Sequence, residues 1–363
     1  MTLPTVPMWK ADCRHFRGDV PCAPHKREGV HCDGCPHYDP IATRVLVIKL
    51  GAIGDVIHTT PILHRLRRDH PRGHLTWLTD FPEVVPSPPV DLVMRPDLAA
   101  LLQLGITEFD LLLNLDKDAR ACAIAVRVPA RVKKGFVMRQ GLAAPADADA
   151  EPKFATGIFD DVSKANRRSY VEEIFDLAGQ RWSGEEYILA RPPAARSFRL
   201  ASPRPRVGLN TGCGGRWLSR QWPEEHWVEL ARGLSARGLG VLLLGGEAEE
   251  ERNRRIAAAS GAEYAGHFPL ADFIDLVDRT DLVVSAVTMA MHIAIGLKKP
   301  LVLFNNIFNR HEFELYGRGE ILEPSIACDC YYRPVCPREC MRAIEVPRVL
   351  DTCLRLLGAA TRP

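Results

Sequence analysis

The sequence predicts an α/β fold in which two doubly wound parallel sheets face each other across a cleft. Three observations predict it. An apolar strand at residues 44–50 runs into the turn Gly51-Ala52-Ile53-Gly54 and then Asp55, where a helix begins. The layout starts again at Arg206, whose strand leads to Thr211-Gly212-Cys213-Gly214-Gly215. Between them lies a stretch broken by Pro192, Pro193, Pro203 and Pro205. Strands alternating with helices form parallel sheets, and such sheets bind ligands outside the carboxyl ends of their strands.

The 363 residues give room for roughly two domains. Boundaries are expected at 1–40 (a Cys/His-rich segment), 41–195 and 196–345 (the two sheet domains) and 346–363 (a helix). A net charge of +2 argues against nucleic acid as a partner. The first residues carry no apolar signal core, and no apolar run is long enough to span a bilayer. A cytoplasmic protein is expected, with at most peripheral contact with the inner membrane surface.

Along the chain, residues 1–40 read as too irregular for helix or strand. Val56, Ile57, Leu63 and Leu66 form one helical face that ends at His70-Pro71-Arg72-Gly73. Residues 75–79, 91–94 and 110–115 read as strands. Residues 140–168 lose periodicity and read as a long loop, and helix returns at 170–178. In the second half, strands are expected at 206–210, 240–244, 281–285 and 301–304. Helices are expected from Trp222-Pro223-Glu224-Glu225 onward and at 252–259, 273–277 and 292–297; proline suits a helix's first turn.

Eleven cysteines are unevenly spread. Cys13, Cys22, Cys32 and Cys35 lie early, interleaved with His15, His25, His31 and His37; Cys328, Cys330, Cys336 and Cys340 lie late. A reducing compartment disfavours disulfides, so clustered thiols point to metal. Four thiolates suit structural zinc, with iron or an iron–sulfur cluster as alternatives. No cysteine has a nucleophile's partners, so both quartets read as structural clamps.

Asp55, at a strand end and a helix start, is a candidate general base, because the helix dipole stabilises its charge. The bland reading is an ordinary capping residue. Gly51 and Gly54 let backbone approach a ligand closely. Glycine turns with helix N-termini behind them, at Thr211–Gly215 and Trp222, bind anions through backbone N–H groups. On the first half, Lys133 and Lys134, with Arg131 and Arg139, form a basic strand suited to an anionic acceptor, or simply a solvated charge run. Asn114, Asp116 and Asp118 follow a strand and edge the same cleft.

The segment Lys49-Leu-Gly-Ala-Ile-Gly-Asp-Val-Ile-His-Thr-Thr-Pro61 resembles the opening of the ADP-heptose heptosyltransferases, glycosyltransferase family 9. The order Gly208-Leu-Asn-Thr-Gly212, Ser219-Arg220-Gln-Trp222-Pro223, Leu244-Gly-Gly-Glu247 and Thr288-Met-Ala-Met-His292 is similar to that family's second half. The resemblance covers about residues 44–355. It implies the two-domain GT-B fold of facing Rossmann-like domains, inversion at the anomeric carbon and no catalytic metal. It further implies a nucleotide-sugar donor, ADP-heptose, and a glycan or glycolipid acceptor such as lipopolysaccharide core.

Residue by residue, the resemblance makes Asp55 the catalytic base and Arg220 the counterpart of a phosphate-binding lysine. Glu247 contacts ribose. Thr211, Gly212, Thr288, Met289 and His292 line the donor site. The chain departs from the family at Val287 and Met289, where members carry Asp and Gly; the polar run from Asn305 to Glu312 is a candidate compensation. The late cysteines are similar in kind, not in spacing, to a metal finger of protein-modifying relatives. Two alternatives follow: a catalytically weak relative serving as a metal-stabilised binding or scaffold protein, or a transferase acting on protein. A metal-linked redox protein on a borrowed fold is a third reading. No Gly-x-Gly-x-x-Gly follows either main strand, which argues against a dehydrogenase.

Overall fold

The computed structural model describes residues 9–360; Met1 to Met8 of the Cys/His-rich segment and the last three residues of the expected C-terminal helix lie outside the described residues. Two six-stranded sheets carry the molecule. The first contains β1 (Thr43–Ile48), β2 (Gly73–Leu78), β3 (Leu92–Met94), β4 (Phe109–Asn114), β5 (Ala130–Arg139) and β6 (Leu142–Pro145). The second contains β7 (Arg206–Asn210), β8 (Gly240–Leu244), β9 (Glu263–Tyr264), β10 (Leu282–Ala286), β11 (Leu301–Phe304) and β12 (Gly319–Leu322). The spatial orders are β3-β2-β1-β4-β5-β6 and β12-β11-β10-β7-β8-β9. Counted from its own first strand, each sheet therefore has the order 3-2-1-4-5-6 of a doubly wound fold. All pairings are parallel except β5 with β6.

That order fixes where a ligand fits. The crevice of such a sheet opens where the winding reverses, between β1 and β4 in one half and between β7 and β10 in the other. Central strands are covered on both faces by helices, which explains their unbroken apolar runs: every residue of β7, β8, β10 and β11 is buried. One apolar cluster runs from Val56 and Ile57 of the first half to Met291 and Ile293 of the second, so the halves share a continuous core. The C-terminal helix Val346–Ala360 packs Val349, Leu350 and Cys353 into the second half's own cluster.

Four expectations need correction. The helical face after β1 is two helices, Ile53–Thr59 and Ile62–Asp69, because Pro61 has no N–H to continue the ladder. The N-terminal segment contains a helix, Ala23–Glu28, opened by Pro24 and closed by Gly29 at φ 67°. Residues 140–168 are not one loop: they hold β6 and the helices Glu151–Thr156 and Asp160–Ala165, too short to show a period. The helix expected at 292–297 begins earlier, spanning Met289–Gly296 behind Thr288. The strands β9 and β12 were not expected at all.

Candidate functional site

The carboxyl ends of β1 and β4 face those of β7, β10 and β11 across a cavity of about 750 Å³. Asp55 and Arg220 line it from opposite halves, together with Gly54, Asp116, Lys117, Thr288, Met289, His292, Phe308 and Glu312.

Asp55 lies in the first turn of Ile53–Thr59, exposed to the cavity, and its carboxylate accepts the Ala52 N–H at 3.3 Å. Asp116 fixes the turn beneath it. Its Oδ2 accepts N–H groups from Leu50 (3.1 Å) and Gly51 (3.3 Å) and pairs with the Lys49 ammonium at 3.2 Å. Of its expected neighbours, Asn114 is buried and donates to the Phe136 carbonyl, and Asp118 caps the helix Ala119–Arg127.

Gly54 has a packing reason as well. A Cβ there would stand 2.6 Å from the His292 ring, so glycine is what lets the Ile53–Thr59 helix touch Met289–Gly296 across the halves. His292 is 5% exposed, tilted against His58 with ring centres 4.8 Å apart, and its Nδ1 lies 3.4 Å from the Tyr187 hydroxyl. Burial pushes its pKa down to about 4 although Asp55 pulls the other way, so the ring is neutral at pH 7. It edges the cavity while packed against His58 and Tyr187.

On the second half, the Arg220 guanidinium donates to the carbonyls of Val287 and of Cys213 (2.7 Å) and lies over the Phe308 ring at 5.6 Å. Its Nε is buried without a partner, an unused donor beside the cavity. Thr288 precedes the helix Met289–Gly296, whose first N–H groups have no intrahelical acceptor. Its Oγ1 accepts from the Asn210 amide at 3.2 Å.

Thr211, Gly212 and Glu247 do not line the cavity. Thr211 is buried and donates to Asn253, and the space above Gly212 is filled by the Glu249 carboxylate, which also accepts the Gly246 N–H at 2.9 Å. Glu247 stands exposed just beyond β8. Lys133 and Lys134 are likewise outside the cavity: Lys133 donates to the Val126 carbonyl, and Lys134 is neutralised by Asp147 and Asp149, both at 2.6 Å.

Besides Arg220, the cations that face the cavity are Lys49, Lys117 and Lys153. Lys153 pairs with Glu173 at 2.6 Å, and burial beside it pushes Lys117 down to about 8. Reading 140–168 as a loop hid Lys153, although Glu151-Pro152 carries the proline signal of a helix start. The polar run after β11 is mostly scaffold. Asn309 donates to the carbonyls of Ser163 and Asn166 in the first half, and only Phe308 and Glu312 of the run face the cavity. Burial raises Glu312 to about 7, against the opposing pull of Lys153 and a hydrogen bond from Tyr332.

The late cysteines converge. The Sγ atoms of Cys328, Cys330, Cys336 and Cys340 all lie within 4.8 Å of one another, with Cys328–Cys336 at 3.3 Å and Cys330–Cys340 at 3.5 Å. All are free thiols and three are buried. A tetrahedral zinc with Zn–S of about 2.3 Å needs sulfur separations of about 3.8 Å, so this donor set fits a four-coordinate soft metal. The Asn306 amide points its Nδ2 at Cys340 (3.4 Å) and Cys330 (3.8 Å), as a hydrogen bond to thiolate requires. Among the described residues this is the group whose donor atoms are gathered so closely. Cys13, Cys22, Cys32 and Cys35 instead surround a cavity of about 20 Å³ with His15 and His37 beside it. That knuckle is fastened to the first sheet by Arg14, which pairs with Asp39 (3.0 Å) and Asp91 (2.6 Å).

Comparison with known proteins agrees with this geometry. Lipopolysaccharide heptosyltransferase 1 of Pseudomonas aeruginosa is 26% identical over 87% of this chain and 94% of its own length. The crystal structure of a glycosyltransferase family 9 protein from Veillonella parvula superimposes with a TM-score of 0.67 at 18% identity, covering 88% of this chain and 99% of that one. TibC of enterotoxigenic E. coli, a dodecameric iron-containing heptosyltransferase solved with ADP-D-β-D-heptose, superimposes at 0.57 with 13% identity, over 88% of this chain and 77% of its own. These likenesses identify the architecture as GT-B. The sequence model of glycosyltransferase family 9 (heptosyltransferase) matches residues 99–306, through both halves of the cleft, and the chain belongs to that family as a glycosyltransferase.

Proposed function

We propose that the protein transfers heptose from ADP-heptose to a cell-envelope glycan such as lipopolysaccharide core, with inversion at the anomeric carbon. The observation that carries this reading is the placement of Asp55 and Arg220 on opposite walls of one cavity. The acceptor hydroxyl gives its proton to the Asp55 carboxylate as its oxygen bonds to the anomeric carbon. On the far face the bond to the diphosphate breaks, and ADP leaves with the electron pair. Arg220, Thr288 and the free N–H groups of Met289–Gly296 receive the charge that develops there. Glu247 lies outside this cavity, so its role as the ribose-side acid requires the nucleoside to extend from the cavity along the open end of β8. Met289 fills space where the family pattern has glycine, and Val287 offers no hydrogen-bond acceptor where that pattern has an acid.

The chemistry needs no metal in the cleft, and the late cysteines are read as a structural zinc or iron site, the early ones as a second thiolate site. No helix among the described residues is long and apolar enough to cross a membrane. A cytoplasmic enzyme that meets its lipid-linked acceptor at the inner membrane face is consistent with that.

Two results test the donor side. Arg220→Ala weakens ADP binding about 10- to 100-fold, since hydrogen bonds to a charged group are worth about 1.5–3 kcal/mol. Adenosine affinity stays unchanged, and titration calorimetry with both ligands checks it. Equal ADP affinity removes Arg220 from the phosphate site. Glu312 supplies a pH test: with its folded pKa raised to about 7, it gains negative charge between pH 6 and 8. ADP binding therefore weakens as pH rises through that window, and Glu312→Gln flattens the profile. A profile with the same slope in the variant assigns the titration elsewhere.

A further inference from the structure

We infer that the late four-cysteine loop is part of the donor site, and that metal held there sets the affinity for nucleoside diphosphate by positioning the segment that carries Arg220. The inference rests on the phosphate role proposed for Arg220.

The contacts run in one short chain. Ser219, immediately before Arg220, donates its N–H to the Pro334 carbonyl at 2.9 Å and its hydroxyl to the Arg333 carbonyl at 2.7 Å. Both acceptors sit inside the loop that Cys330 and Cys336 close. The Ser219 carbonyl in turn accepts the Asn306 amide at 2.7 Å, the same nitrogen that faces Cys340 and Cys330. Trp217 packs on the cysteine cluster itself, and Phe308 lies between that indole and the Arg220 guanidinium.

The loop also reaches the other half. The Tyr331 hydroxyl lies 2.8 Å from Ser163 Oγ, and the Tyr332 hydroxyl donates to the Glu312 carboxylate in the cavity. A loop of this kind has no helix or strand of its own to hold it. Four thiolates drawn onto one cation fix its ends, and the backbone carbonyls of Arg333 and Pro334 then hold Ser219 and the arginine beside it. Ser219 is a positioning residue, since it does not face the cavity.

The test compares protein stripped by a chelator with the same protein reloaded with Zn²⁺ or with Fe²⁺. ADP affinity is measured by calorimetry and amide exchange is followed at residues 214–222. Loading is expected to tighten ADP binding about tenfold, within the 5–150-fold range usual for coupled sites, and ADP must then raise the equilibrium metal affinity by the same factor. Loading is also expected to protect 214–222, while peptides spanning 13–35 report the early quartet separately. Ser219→Ala in loaded protein weakens ADP about three- to fivefold, the loss of one hydrogen bond, with metal content unchanged; Ser219→Thr restores it.

Unchanged exchange at 214–222 together with ADP affinities within about twofold, on loading and in Ser219→Ala, overturns the inference. If stripping unfolds the chain, Ser219→Ala and Ser219→Thr decide alone. If ADP binds neither form, the proposed function falls, while exchange at 214–222 still decides the coupling.

Discussion

Asp55→Asn lowers the rate of sugar transfer by about 10²–10⁴-fold, the contribution of a positioned general base, and leaves ADP affinity within about twofold. Asparagine keeps the size of the side chain and can still accept the Ala52 N–H, so the helix start survives. What disappears is the ability to take a proton. The donor's diphosphate is held from the opposite wall, through Arg220 and the start of Met289–Gly296, and so does not sense the change. Single-turnover transfer and calorimetry, run on the same preparation, separate the two effects. Turnover within tenfold of the unsubstituted enzyme would falsify the assignment of Asp55 as base.

Trp222→Ala costs roughly 3–5 kcal/mol of stability, the range for truncating a large buried aromatic side chain. Trp222 is 1% exposed, with ring centres of Trp227 at 4.8 Å and Phe304 at 4.9 Å. Its Nε1 donates to the Ile344 carbonyl at 2.9 Å, so the substitution leaves both a void and an unpaired acceptor. Trp222→Phe keeps most of the ring contacts and loses the hydrogen bond, and should cost distinctly less. Denaturant unfolding followed by far-ultraviolet circular dichroism measures both. A loss below about 1 kcal/mol for the alanine variant would mean that Trp227 and Phe304 close the void.

Residues 44–61 show why part of the fold was legible in the sequence. An apolar strand, two glycines and an acid in the first turn each depend on neighbours a few residues away, and local pattern records such neighbours well. The restart at Arg206 was readable for the same reason. The break at Thr60–Pro61 was visible in principle, since proline lacks an N–H, but the apolar stripe continues across it and hid the interruption. The helices Glu151–Thr156 and Asp160–Ala165 are six residues each, fewer than two turns, so no period can establish itself.

The candidate site divides along the same line. Asp55, Arg220, Thr288, Met289 and His292 reach the cavity because strand ends put them there. Lys133 and Lys134 were suggested by charge alone, and charge does not say which way a side chain on β5 leaves the sheet; two aspartates claim one of them. Lys117 lies between Asp116 and Asp118 at the end of β4, where the strand pattern already pointed to the cleft, whereas Lys153 reaches the cavity from a helix too short to show a period. The late quartet was legible as a group from its clustering. Its proximity to Arg220 was not, because Ser219 and Arg333 are 114 positions apart.

The glycine at 54 sets how closely the two jaws meet. With no side chain between the Ile53–Thr59 helix and the His292 ring, the halves meet there in direct contact and share their apolar interior just beneath. The rim is tied a second time, where Asn309 donates to the Ser163 and Asn166 carbonyls and the Tyr331 hydroxyl meets Ser163 Oγ. The two walls are therefore fastened at the floor by close packing and at the lip by polar bonds, and widening the gap means breaking the latter first.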